Sequence, residues 1–289
     1  MLHIDNGAEA LFNPGAATNF FDELLLSVTP FDASKREYDA TNAWWLAEVS
    51  RVIYRLSVAE GTVLRDRALV LQDAGLTEVA PPFRGPSTCA ALIRGQGFHI
   101  VAFRGTQELR DWLRNIDIRP REWEPGRGHV HSGFWNALEE VWPSLSATLV
   151  SLTGPVFFTG HSLGAALAVL AAARIDAAHR PRAVYAYGCP RSGDQQFADT
   201  YPGVPVYRVV NNRDVVARVP PRPYKHVGTM QYVRSNGTLA TNPSELEMHL
   251  DLLRDDPTHE LLHGDTVPEW LNDHAPVNYA YWMQHFARH

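Results

Sequence analysis

Ser162 stands in Thr159-Gly-His-Ser-Leu-Gly164, where the apolar run Pro155–Thr159 stops and an alanine-rich stretch begins. Neither a strand nor a helix needs glycine at Gly160 and Gly164. A serine on a sharp strand-to-helix turn needs both, because two elements must approach closely around a strained residue. Such a turn lifts the hydroxyl above the sheet, and the helix start aims positive partial charge at anions forming beside it. The chemistry these residue types suit is nucleophilic attack by a serine. The other reading is a serine capping a buried helix, with the glycines serving packing alone.

A serine hydroxyl is a weak nucleophile until a histidine takes its proton and an acid orients that histidine. On a sheet with this kind of turn, acid and histidine follow the serine in the chain. Asp214 lies in Val209-Val-Asn-Asn-Arg-Asp-Val-Val216, just past an apolar strand, where parallel sheets collect their chemistry. It reads equally as a turn carboxylate capping backbone amides. Asp194 and Asp199 are rivals in a polar stretch. Among the later histidines, His274 in Asn272-Asp-His-Ala-Pro-Val-Asn-Tyr279 enters the last helix from a loop and is the expected base. His263 is the runner-up, His226 reads as structural, and His249, His259, His285 and His289 sit in charged or terminal surroundings. For a tetrahedral oxyanion, the Leu163 amide supplies one donor and the Thr106 amide, after Arg104-Gly105, the other. Thr106 also suits a helix N-cap. Phe134, Trp135, Leu163, Val215, Val216 and Val277 lie near these motifs and suit either an acyl pocket or the core.

These side chains need a scaffold. Helical character is expected near residues 16–29, 36–57 and 61–74, the second on the spacing of Trp45, Val49, Val52, Ile53 and Leu56. Cys89–Arg94 and Phe98–Phe103 read as a hairpin around Gly95-Gln96-Gly97. His129–Phe134 reads as a strand followed by a helix to about Leu152. Strand Pro155–Thr159, helix Ser162–Ala178, and strands Arg182–Tyr187 and Val204–Val210 come next. A hairpin at Asn236-Gly237 and a closing helix over 274–287 complete the chain. Alternating strands and helices predict a mostly parallel α/β sheet in one domain, residues 1–289.

Bulk properties narrow the function. The net charge is −6 across 289 residues, with no basic stripe, which argues against nucleic acid. No apolar run reaches the roughly 18–20 residues of a membrane span. The cysteines are Cys89 and Cys189, too few for a disulfide framework and without metal-site spacing. The opening MLHIDNGAEALF has no basic n-region and carries acids where a secretory peptide is apolar. The expectation is a cytoplasmic protein by default, with export lacking a visible leader as the alternative.

Phe103-Arg-Gly-Thr106, Val130-His-Ser-Gly-Phe134, Thr159-Gly-His-Ser-Leu-Gly164, Tyr187-Gly-Cys-Pro-Arg-Ser-Gly193, Asn212-Arg-Asp-Val-Val216 with Pro220-Pro221, and Asp273-His274 occur in this order. Together they resemble the class 3, fungal-type triacylglycerol lipases of the α/β-hydrolase superfamily, over roughly residues 85–285. The resemblance implies a triad of Ser162, Asp214 and His274, oxyanion donors at Thr106 and Leu163, and neither metal nor organic cofactor. It implies a lipid ester substrate met at a lipid–water interface. It also implies a lid over roughly 107–123, with Trp112 and Leu113 as apolar contacts. A phospholipase A1, a feruloyl-type esterase, and a non-catalytic lipid-binding protein on the same fold are the alternatives. The oligomeric state is not legible.

Overall fold

The computed structural model describes residues 4–5, 8–14, 17, 19–57, 67–106, 117–254 and 269–289. The apolar runs read above become the inner strands of a nine-stranded sheet. Its parallel centre consists of β4 (Phe98–Phe103), β7 (Val156–His161), β8 (Ala183–Tyr187), β9 (Val206–Asn211) and β10 (Thr229–Val233). Antiparallel strands finish both edges. On one side β3 (Cys89–Gly95) pairs β4 and carries the two-residue strands β1 (Thr77–Glu78) and β2 (Phe83–Arg84). On the other, β11 (Leu239–Thr241) returns along β10 across the Asn236-Gly237 turn. The expected mostly parallel sheet, flanked by helices, is therefore present. A separate ribbon joins β5 (Pro120–Glu122) to β6 (His129–His131).

Side-chain alternation along the strands sorts two apolar layers. Leu92, Val101, Phe103, Phe158, Val184 and Val206 point to one face, where helices Ser132–Glu139, Trp142–Leu149 and Leu163–Arg174 pack. Ile93, Ile100, Phe157, Tyr185 and Val209 point to the other, under helices Ala40–Val52 and Pro276–Ala287. Alanine dominates Leu163–Arg174 because this helix lies very close to the sheet. A Cβ on Gly164 would come 2.1 Å from the Phe103 carbonyl oxygen, and one on Gly160 would meet the Gly164 carbonyl at 2.4 Å.

Several boundaries differ from the sequence reading, each for a local reason. Helix in the 16–29 region is confined to Glu23–Val28, capped by Asp22, because Asn19 turns its carbonyl to the Arg51 guanidinium instead. The 36–57 helix starts at Ala40, where the Asp39 carboxylate accepts the Asn42 amide, and tightens to 3₁₀ geometry at Ile53. Only Arg67–Asp73 of the 61–74 helix is described. The strand expected to reach Phe134 ends at His131, whose Nδ1 accepts the Phe134 amide and starts a helix there. The long helix to Leu152 is two, the second beginning at Trp142-Pro143. Leu163–Arg174 stops short of Ala178 because Ile175 is extended and Asp176 caps a separate turn. Of the 107–123 segment, residues 107–116 with Trp112 and Leu113 lie outside the described residues. Its end is strand β5, held against β6.

Candidate active site

The turn between β7 and the following helix places Ser162 at φ 59°, ψ −129°, in backbone space that β-carbon sterics disfavour. Its amide donates to the Tyr187 carbonyl at 2.9 Å, which pins the turn to β8. The residue is buried, and its Oγ makes no hydrogen bond among the described residues. Leu163 opens the helix, where the first amides have no intrahelical acceptor. Thr106 lies half-buried beyond the end of β4, the neighbour of β7.

The loop after β9 delivers Asp214, and the turn before the last helix delivers His274. His274 Nδ1 and Asp214 Oδ2 are 2.8 Å apart, with both side chains buried. Asp214 Oδ1 accepts the Val216 amide at 2.7 Å, and the Tyr279 hydroxyl donates to Oδ2. Burial alone would raise the Asp214 carboxyl. The facing His274 charge and the donors from His274 and Tyr279 outweigh that and hold it below the ordinary carboxylate range. Burial, with Asp214 beside it, pushes the Tyr279 phenol well up, so it stays a donor. With Nδ1 committed to the carboxylate, His274 Nε2 is the remaining ring nitrogen, and it has no hydrogen-bond partner among the described residues.

Sequence reasoning missed the residues that hold this pair. Asp273 bridges the two loops: its carboxylate accepts the Arg213 amide at 2.9 Å, and its carbonyl accepts Asn211 Nδ2 at 3.0 Å. His161, preceding the serine, has Nε2 at 2.7 Å from the His274 carbonyl and Nδ1 at 2.8 Å from the Tyr54 hydroxyl. A carbonyl only accepts, so His161 carries its proton on Nε2 and accepts from Tyr54. Burial, then the nearby His274, takes its pKa well below the usual imidazole value, which keeps it neutral. Gly188 lies at φ +56°, and a Cβ there would fall 2.8 Å from both Asp214 Oδ2 and His274 Nδ1. The advance signals for Gly188 were its place directly after an apolar strand and in the motif Tyr187-Gly-Cys-Pro-Arg-Ser-Gly193, neither of which gave it a role.

The rival acids lie elsewhere in the structure. Asp194 caps the short helix Gln195–Asp199 and accepts from His129, and Asp199 accepts from Gln195 Nε2. His226 Nε2 donates to the Ala217 carbonyl, and His249 is exposed on a surface helix. His259 and His263 lie outside the described residues. Of the apolar candidates, Phe134 is wholly buried and stacks on His131 at 4.0 Å. Trp135 is half-buried between the Arg121 and Arg174 guanidinium groups. Val216 is buried with Leu11, Leu271 and Ala275, and Val215 and Val277 pack at the edge of that cluster. Cys89 and Cys189 are buried free thiols. Among the described residues, no helix is long and apolar enough to cross a membrane.

Residues 100–224 match the family described as Lipase (class 3). A lipase of Rhizomucor miehei is 33% identical over 166 residues, covering 51% of this chain and 45% of its own length. A secreted mono- and diacylglycerol lipase 1 of Fusarium solani is 36% identical over 130 residues, covering 42% of this chain and 39% of its own. The chain thus spans less than half the length of these curated relatives. Among solved structures, lipase II from Rhizopus niveus superposes with a TM-score of 0.59 at 26% identity, over 71% of this chain and 85% of that one. The cytoplasmic expectation does not stand: the Fusarium solani relative is named as secreted, as are others, which points outside the cell.

Proposed function

From the match of residues 100–224 to the class 3 lipase family and the likeness to its lipases, we propose that the chain is an α/β-hydrolase of that family and hydrolyses carboxylic esters of acylglycerols through an acyl-enzyme on Ser162. His274 Nε2 takes the serine proton as Oγ attacks the ester carbonyl, and Asp214 stabilises the resulting imidazolium. The amides of Leu163 and Thr106 receive the oxyanion. His274 then protonates the leaving glycerol oxygen, and water repeats the steps to release the fatty acid.

The observation that carries this reading is a strained, buried Ser162 on the same sheet end as a buried His274–Asp214 pair, with Ser162 Oγ and His274 Nε2 both lacking a partner among the described residues. Loose serine–histidine geometry is usual before substrate arrives. Tyr279, Asp273 and His161 serve as positioning residues. A non-catalytic binding protein has no need of a strained serine or a buried carboxylate held against an imidazole, both of which cost folding energy.

The test is hydrolysis of p-nitrophenyl esters from acetate to palmitate and of emulsified triacylglycerol, by wild type and Ser162→Ala. Cleavage of long chains and emulsion by wild type alone is the expected result. Turnover of short esters only would replace the lipase reading with an esterase. Equal inertness of both proteins would leave the lipid-binding reading in its place.

A further inference from the structure

A cleft of about 500 Å³ lies over β9 and β10, against the helix Glu245–Arg254. Arg191, Arg208, Arg218, Lys225, His226 and Glu245 contribute its polar lining. Four permanent cations therefore face a single carboxylate, in a chain whose net charge is −6. One of the chain's two lysines, Lys225, stands here.

Backbone carbonyls hold three of these cations. Arg208 is 6% exposed; its Nε donates to the Val227 carbonyl at 3.0 Å, and its Nη1 has no partner among the described residues. Arg191 Nη1 donates to the carbonyls of Pro220, at 2.8 Å, and Arg218. Arg218 Nη2 reaches the Asn212 carbonyl at 3.3 Å. Neutral carbonyls set these side-chain positions, and among the described residues Glu245 is the one carboxylate that lines the cleft. Burial, with Arg191 adding to it, brings the Arg208 guanidinium down to about 10, so it remains charged at neutral pH. A buried guanidinium nitrogen without an acceptor is costly, and native structures seldom keep one without a reason.

We propose that this cleft binds a phosphate group, with Arg208 at its buried end and Arg191, Arg218 and Lys225 around it. Arginine forks match phosphate oxygens in pairs, and several converging cations suit a dianion better than a single carboxylate. The volume exceeds that of inorganic phosphate and leaves room for a glycerol-sized body. Two sources share this chemistry: the head group of an anionic phospholipid, and a small soluble phosphate. The cleft shares a wall with the candidate active site. Ala217 and Arg218 belong to the turn Val216–Arg218, whose first amide binds Asp214 Oδ1. The site is argued from its own residues and does not depend on the ester-hydrolase reading.

The test is calorimetric titration with inorganic phosphate at fixed ionic strength, followed by vesicle sedimentation in the Ser162→Ala background, where hydrolysis cannot confuse the readout. The vesicles are phosphatidylcholine, alone and with phosphatidic acid. Saturable phosphate binding is expected, lost in Arg208→Met and weakened by about tenfold in Lys225→Gln, the usual effect of removing one charge-assisted contact. Glu245→Gln should tighten it. Lys225 is only half-buried, so that variant reads the site even if Arg208→Met fails to fold. Sedimentation with phosphatidic acid vesicles alone, following the same variant order, assigns the head group. Binding confined to inorganic phosphate assigns the soluble source. Absence of saturable binding, or binding that Lys225→Gln and Glu245→Gln both leave unchanged, overturns the proposal.

Discussion

At the scale of single residues, the account rests on how few arrangements keep Asp214 and His274 together. Gly188→Ala places a methyl group 2.8 Å from both partners, on a backbone at φ +56°. We predict a loss of kcat on p-nitrophenyl butyrate approaching the roughly 10⁴-fold expected when the acid no longer orients its histidine. The thermal midpoint should fall as well, since the backbone at positive φ and the close contacts both strain the fold. Tyr279→Phe removes the hydroxyl that donates to Asp214 Oδ2 and leaves the ring in place. Activity should fall about tenfold, the weight of one hydrogen bond to a charged group, with the melting curve nearly unchanged. Ser162, Asp214 and His274 could be put forward from the sequence because glycine spacing and chain order are local signals. Tyr54, Tyr279 and His161 were not readable. A tyrosine or histidine in an apolar stretch looks like any core residue until the fold brings positions 54, 161 and 274 within hydrogen-bond reach.

At the scale of elements, the contact between β4 and the helix Leu163–Arg174 decides whether the serine turn can form. Gly164→Ala would press a β-carbon against the Phe103 carbonyl at 2.1 Å, where backbone has no rotamer with which to retreat. We expect destabilisation above about 2 kcal/mol, the upper part of the overpacking range, and a melting temperature lower by roughly 5 °C or more. A variant melting within a degree of wild type would mean that helix and strand are less tightly seated than described. The central strands were legible because continuous apolar runs of this length, bounded by turn residues, suit a sheet covered on both faces. Strands β1 and β2, at two residues each, are too short to carry any period. Phe134 was misplaced in a strand because its position depends on a side-chain cap from His131, which periodicity does not register.

Across the whole molecule, buried neutral histidines set the response to acid. Burial is the leading cause that lowers His131 to about 4 and takes His161 and His226 well below the usual value. Each therefore binds its proton more readily in the unfolded chain. Their contribution to stability is complete above the unfolded value of 6.5 and drains away as pH falls through the folded values, so the window for His131 runs from 6.5 to about 4. The Asp214 carboxyl, held below 3.8, adds to the loss only at still lower pH. The melting temperature should be flat above neutrality and decline through that window. His131→Asn, which retains an acceptor for the Phe134 amide, should flatten part of the decline; an unchanged slope would remove His131 from the explanation. The central claim, that this fold activates Ser162, is tested most directly by labelling the folded protein with a fluorophosphonate and locating the adduct by peptide mass spectrometry, since inert serines do not react. The account predicts a single adduct on Ser162, absent from His274→Ala. An unlabelled wild-type protein, or an adduct on another serine, would contradict it.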